Sequence, residues 1–165
     1  MHRGTGQAIV HALKYDRWHA VATEIAERMG RLGWPVDVRE ERVAVLPVPL
    51  AESRLRERGF NQSERLACAL GPRWQVPVWC DVLERARATE TQTRLTPAER
   101  LANVSGAFRV REVARQRLSN NHVVLVDDVV TTAATLNACA AALVAGGARI
   151  VSYVTFGRAP AAGDR

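Results

Sequence analysis

HVVLVDDVVTTAATL, residues 122–136, is the stretch whose reading decides the fold. Four apolar residues, Val123, Val124, Leu125 and Val126, run into two adjacent carboxylates, Asp127 and Asp128. A short unbroken apolar run suits a strand buried on both faces of a parallel sheet. A hydroxyl-rich turn follows at Thr131, Thr132 and Thr135 and opens into an alanine-rich helix over 133–145. In open α/β sheets, ligands bind beyond the carboxyl ends of the strands, where this acidic pair sits. A helix start offers free backbone N–H groups and the positive end of a dipole, which suits a phosphate. Acceptors for sugar hydroxyls thus stand beside donors for a phosphate, which implies a ribose-phosphate site. Each feature alone would also fit a strand, a turn and an N-capped helix. The combination is what points to a ligand.

Outward from that stretch, strand-like and helical patterns alternate, as in an α/β domain. Residues 17–31 have helical spacing, with Val21, Ile25 and Met29 on one face. Gly33 and Pro35 end that helix, and 42–48 reads as a buried strand. An amphipathic helix over 60–70 closes at Gly71-Pro72. Residues 76–83 and 106–110 read as strands, 97–102 as a short helix and 113–118 as a helical turn. Gly146-Gly147 stops the alanine-rich helix before a last strand over 149–156. Residues 159–165 read as a frayed tail. The 165 residues can bury one core without staples, so one domain over 1–165 is expected.

Composition narrows the function. Hydrophobic content of 47% and charged content of 24% are ordinary for a globular protein, and no apolar run reaches spanning length. No secretory signal stands at the N-terminus, so a cytoplasmic location is the default expectation. The net charge of +6 rests on arginine, Lys14 being the only lysine among 23 basic residues. Arginine's planar fork suits phosphates. An anionic nucleotide-like substrate therefore comes first and a nucleic-acid partner second, since no long basic tract is present. Cys68, Cys80 and Cys139 are scattered in sequence and read as reduced structural thiols. Neither they nor the four histidines have zinc spacing, so no protein-ligated metal is expected.

A second informative region is VLPVPLAESRLRERGFNQSERLA, residues 45–67. Its Pro47-Val48-Pro49 gives a stiff strand exit. Arg54, Arg56 and Arg58 then form a cationic loop that Gly59 turns into the next helix; Arg54 and Arg58 are candidates for a pyrophosphate. As an exposed arginine-rich turn the same segment would be solvated. Between Leu83 and Phe108 lies a long polar stretch with Arg85, Arg87, Gln92, Arg94, Arg100 and Asn103. Long stretches of this kind are often active-site lids.

The 122–136 stretch resembles the 5-phosphoribosyl 1-pyrophosphate (PRPP) motif of type I phosphoribosyltransferases, where two acids close a strand before a Thr-Thr-Gly-x-Thr-like loop. PVPL, RLRERGFNQ, LERARATETQTRLTPAERLANVSGAF and VDDVVTTAATL, in that order, resemble the ComF family of competence-associated phosphoribosyltransferase-like proteins. The similarity runs from about Leu13 to the end. It implies a single-domain type I phosphoribosyltransferase fold, a central mostly parallel sheet flanked by helices, with a mobile active-site loop. Asp127 and Asp128 would face the ribose 2- and 3-hydroxyls, and Thr131, Thr132, Ala133, Ala134 and Thr135 would wrap the 5-phosphate. Ala133 stands where the family usually has glycine, which tolerates positive φ as alanine does not. Arg87 and Gln92 would act from the moving loop, and Mg²⁺ would arrive on the substrate's pyrophosphate. Members commonly carry a cysteine-rich zinc-binding segment that is not among these residues. The expected reaction is PRPP-dependent glycosyl transfer to a nitrogen acceptor, with a link to DNA uptake. Two rivals are a PRPP or nucleotide sensor without turnover, and an accessory protein contacting single-stranded DNA or a helicase-like partner.

Overall fold

The computed structural model of the chain describes residues 18–87, 103–130 and 132–158, with the backbone alone for 18–22. The expected short helix over 97–102, the tail over 159–165, and Gln92, Arg94, Arg100 and Thr131 lie outside the described residues. Three parallel strands form the sheet in the order β1-β4-β5: β1 is Arg42–Pro47, β4 His122–Val130 and β5 Ile150–Arg158. Leu46 pairs with Leu125, and Leu125 with Tyr153. The decisive stretch is thus the middle strand, extending past its apolar run through both acids to Val130.

Its burial alternates as a two-sided strand must. Val123 and Leu125 join Ala44 and Leu46 in a core on one face, closed by α6 (Ala134–Ala145) and by β2 (Leu83–Arg85) and β3 (Phe108–Val110). Val124 and Val126 join Val45 in a core on the other, closed by α1 (Trp18–Gly30) and α4 (Gln62–Trp74). The expected α1 face is there, with Ile25 and Met29 buried. The chain leaves β1 toward the α1/α4 face and leaves β4 toward the α6 face. The carboxyl ends of β1 and β4 therefore flank a topological switch point, where open α/β sheets open a crevice.

Three expectations need correction. The cationic loop is a helix, α3 (Glu52–Arg58), following the short α2 (Val36–Glu41) and β1 in the chain. Glu52 pairs with Arg56 one turn on, and Gly59 ends the helix at φ 76 with its N–H on Leu55 O. Secondly, α4 does not close at Gly71-Pro72 but runs on to Trp74. Near a helix end, proline forfeits only the bond to the carbonyl four residues back, and Gln75 supplies the left-handed cap at φ 55. Gly71 serves packing instead: a Cβ there would lie 2.6 Å from Val78 Cγ2. Thirdly, the expected 76–83 strand splits into a single parallel bridge, Val45 to Val78, and the separate β2.

β2 and β3 pair antiparallel, Glu84 opposite Arg109. The stretch 86–107 is therefore the connection at the open end of a two-stranded ribbon, the expected lid position. Beyond β3, a 3₁₀ turn (Glu112–Ala114) and α5 (Arg115–Leu118) lead into β4.

Candidate functional site

The site assembles at the β1/β4 crevice. Asn61 caps α4, its Oδ1 accepting from Ser63 N at 3.1 Å while its Nδ2 donates to Val48 O at 3.0 Å. That clamp fixes the β1 exit to the first turn of α4. Ser63 Oγ then donates across the crevice to Asp127 Oδ1 at 2.8 Å. Asp127 Oδ1 also accepts from Asp128 N at 3.0 Å, and Asp128 Oδ1 from Val129 N at 2.7 Å. Each acid thus bonds the backbone just ahead of it.

Burial and then the neighbouring Asp128 charge push the Asp127 carboxyl up to about 7, against the opposing bonds from Ser63 and Asp128 N. Cys139 of α6 is buried, its thiol pushed up first by burial and then by the Asp127 charge, with the Arg85 charge opposing. Arg85 stacks on Phe108 at 5.2 Å, and its pKa is lowered by burial and then by Arg54. Arg85 thus feels the Arg54 charge, and Cys139 the charges of Asp127 and Arg85. Ser63 was not singled out from the sequence, and Arg85 was named only within the polar stretch and not as a site residue. Ser63 follows the RGFNQ run directly, but its partner is 64 residues away.

The loop to α6 turns at Ala133, which holds the left-handed conformation (φ 56, ψ 6) and is the helix's N-cap residue. Its methyl offers no acceptor to the first-turn N–H groups. Thr132 Oγ1 is buried with no hydrogen-bond partner. An orphaned hydroxyl beside an uncapped 12-residue helix start is a donor set without its acceptor. The structure thus brings Asp127, Asp128, Thr132, Ala133 and Ala134 together, with Thr135 in the helix's first turn.

Ala133→Gly follows as a test of the backbone. Glycine takes positive φ freely, so the variant should be more stable by about 1 kcal/mol, read as a shift in the urea midpoint. An unchanged or lower midpoint would remove the strain argument.

The arginines divide by face. Arg54 and Arg58, one turn apart on α3, are half-buried, whereas Arg56 is exposed and pairs with Glu52 at 3.3 Å. Arg87 sits at the ribbon's end and donates to Asn103 O and Ser105 O, both at 3.0 Å. It clasps the two sides of the 86–107 connection. At the exit of β1 lies a cavity of about 640 Å³, whose walls include Pro49, Leu55, Asn61, Glu64, Cys80 and Arg85. Asp127 and Asp128 do not line it. Among the described residues no group of three His, Cys, Asp or Glu could hold a metal ion, and no helix is long and apolar enough to cross a membrane.

Residues 58–164 match the family described as phosphoribosyl transferase domain. DNA utilization protein YhgH of Escherichia coli O157:H7 is 35% identical over 151 residues, 87% of this chain and 63% of that protein. Competence protein F of Haemophilus influenzae is 36% identical over 94 residues, 57% of this chain and 41% of that protein. The chain thus spans under two thirds of the length of these relatives. Among solved structures, the glutamine PRPP amidotransferase of B. subtilis, complexed with ADP and GMP, superposes with a TM-score of 0.53 at 15% identity, over 82% of this chain and 26% of that one.

Proposed function

Because the chain belongs to the phosphoribosyl transferase family, with relatives of the ComF type, we propose that it transfers a phosphoribosyl group from PRPP to a nitrogen acceptor, releasing pyrophosphate. One observation carries this: two carboxylates lie near the carboxyl end of the middle strand, which a left-handed turn at Ala133 joins to an uncapped helix. In the proposed complex the 5-phosphate accepts from Thr132 and the first N–H groups of α6, and Asp127 and Asp128 accept from the ribose hydroxyls. Fixing the sugar at both ends aligns its anomeric carbon for attack. Departing pyrophosphate gathers charge, which on this reading Arg54, Arg58 and Arg85 stabilise. The oxygen-only donors of Asp127 and Asp128 would suit the water shell of a hard cation such as Mg²⁺ brought in with the substrate, which would supply further charge neutralisation. The cavity at the β1 exit is large enough for a planar nitrogen heterocycle. Any tie to DNA use comes from the relatives' names and is part of the proposal.

Calorimetry with PRPP and Mg²⁺ tests the reading. Wild type should bind clearly, and Asp128→Asn and Thr132→Ala should each lose about 1–3 kcal/mol, the range for buried or charged hydrogen bonds. No heat from wild type sinks the proposal. A second reading, a module that binds PRPP without turnover, is favoured by Arg87, which clasps backbone carbonyls instead of pointing free toward a leaving group. Binding without pyrophosphate release across a panel of nitrogen heterocycles would select it.

A further inference from the structure

Two of the three scattered cysteines come together where α4 meets the Val78 segment. Cys68 is on α4, three residues before Gly71, and Cys80 is two residues beyond the Val45–Val78 bridge, so the Gly71–Val78 contact brings their side chains toward one another. Both are exposed, so a small reagent can reach them, whereas Cys139 is fully buried. The elements that carry them are held at close approach. Gly71, three residues after Cys68, has no room for a Cβ against Val78 Cγ2 (2.6 Å) and Val76 O (3.0 Å). The Cys80 side is pinned to β1 by Val45 N to Pro77 O at 3.0 Å and Trp79 N to Val45 O at 2.9 Å.

We propose that Cys68 and Cys80 form a preorganised dithiol, a modification site that closes to an intramolecular disulfide on exchange with low-molecular-weight disulfides. The first thiolate attacks one sulfur of the small disulfide and expels a small thiolate. The second cysteine then attacks the protein sulfur of that mixed disulfide and expels the other small thiol. The protein loses two electrons and two protons, and the reagent is reduced to two thiols. Burial, and after it the charges of Cys68, Glu64 and Asp81, pushes the Cys80 thiol up to about 11. A thiol that ionises late suits Cys80 to the resolving step. Since Cys80 lines the cavity, closure ties the cavity wall to α4.

The full chain, fully reduced, is incubated with glutathione disulfide at pH 8.5, quenched with acid, and alkylated after unfolding. The expected product is a monomer lighter by two hydrogens, with a peptide linking Cys68 to Cys80 and alkylation at Cys139 alone. Its unfolding midpoint should rise by roughly 5–10 °C, because the bridge restricts the unfolded chain and the native pair is already adjacent. Cys80→Ser should stop at a stable glutathione adduct on Cys68, and Cys139→Ala should behave as wild type. Separate glutathione adducts on Cys68 and Cys80 in wild type, bridges between chains, or a lowered midpoint would each overturn the proposal.

Discussion

Asp127→Asn is expected to leave the protein more stable than wild type at pH 8 and no more stable at pH 4. The carboxyl's ordinary value is 3.8, and in the fold it is pushed up to about 7 by burial and then by Asp128. Below pH 4 the acid is protonated folded or unfolded, and its contribution is fully present. As pH rises through 7 the folded protein must ionise it in place, and that contribution is lost. At roughly 1.4 kcal/mol per pH unit, the window is worth about 2–4 kcal/mol after some relaxation around the charge. Asparagine keeps the shape and still accepts from Ser63 Oγ, but never ionises. Urea unfolding of both proteins from pH 4 to 8 measures the difference. A wild-type profile as flat as the variant's would sink the buried-acid reading. On the proposed function, the gain comes with a loss of about 1–3 kcal/mol in PRPP affinity. Wild-type affinity should also rise with pH toward 7, because only the ionised acid is a full acceptor for ribose hydroxyls. On the proposed function, the acid is kept where it destabilises the fold because it serves binding.

That acid was legible in the sequence; its protonation was not. The middle strand and its helix could be read because period, composition and turn residues agree over 15 consecutive residues. Ala133 was legible too, as the residue standing where a positive φ is needed, and it does adopt φ 56. The arginine segment was misread because charge density was weighed above helix chemistry. ESRLRER is built of helix formers, with a Glu-to-Arg pair one turn apart and a glycine at the C-cap position. Pro72 misled in the opposite direction, as a local stop signal beside a glycine that is there for tertiary packing.

What no local pattern held was the set of long-range pairings. Ser63 with Asp127, and the Gly71–Val78 contact that brings Cys68 toward Cys80, both depend on how α4 lies against the sheet. Those placements follow from core packing, which a single sequence encodes only collectively. Part of the expected chemistry falls on Gln92 and Thr131, which lie outside the described residues. The catalytic half of the proposal therefore rests on kinetics, and the binding half on the geometry at the end of β4.

Gly146→Ala should destabilise the protein by about 1–3 kcal/mol, although its backbone would suit alanine well. Gly146 has φ −82, so no conformational argument favours glycine there. Its role is steric. A Cβ would lie 2.4 Å from Val110 Cγ2, 2.8 Å from Val110 Cβ and 3.2 Å from Ala142 O. Val110 is a buried residue of β3, and neither its Cβ nor a backbone carbonyl can swing aside as the end of a long side chain would. Overpacking of this kind forces α6 away from the ribbon. Loss of glycine's flexibility in the unfolded chain works in the other direction, but by under about 1 kcal/mol. Val110→Ala removes the obstructing methyl groups, so the double variant should be less damaged than the two single effects added, with a coupling of about 1–2 kcal/mol. Gly33→Ala is the control, because a Cβ there meets nothing within 4 Å, and its effect should stay within about 0.5 kcal/mol. Strict additivity in the cycle would show that the helix ends elsewhere than against Val110. The coupling also matters for the site. α6 begins at the proposed phosphate turn and ends on the ribbon that carries the 86–107 connection, so one glycine sets how the two are held together.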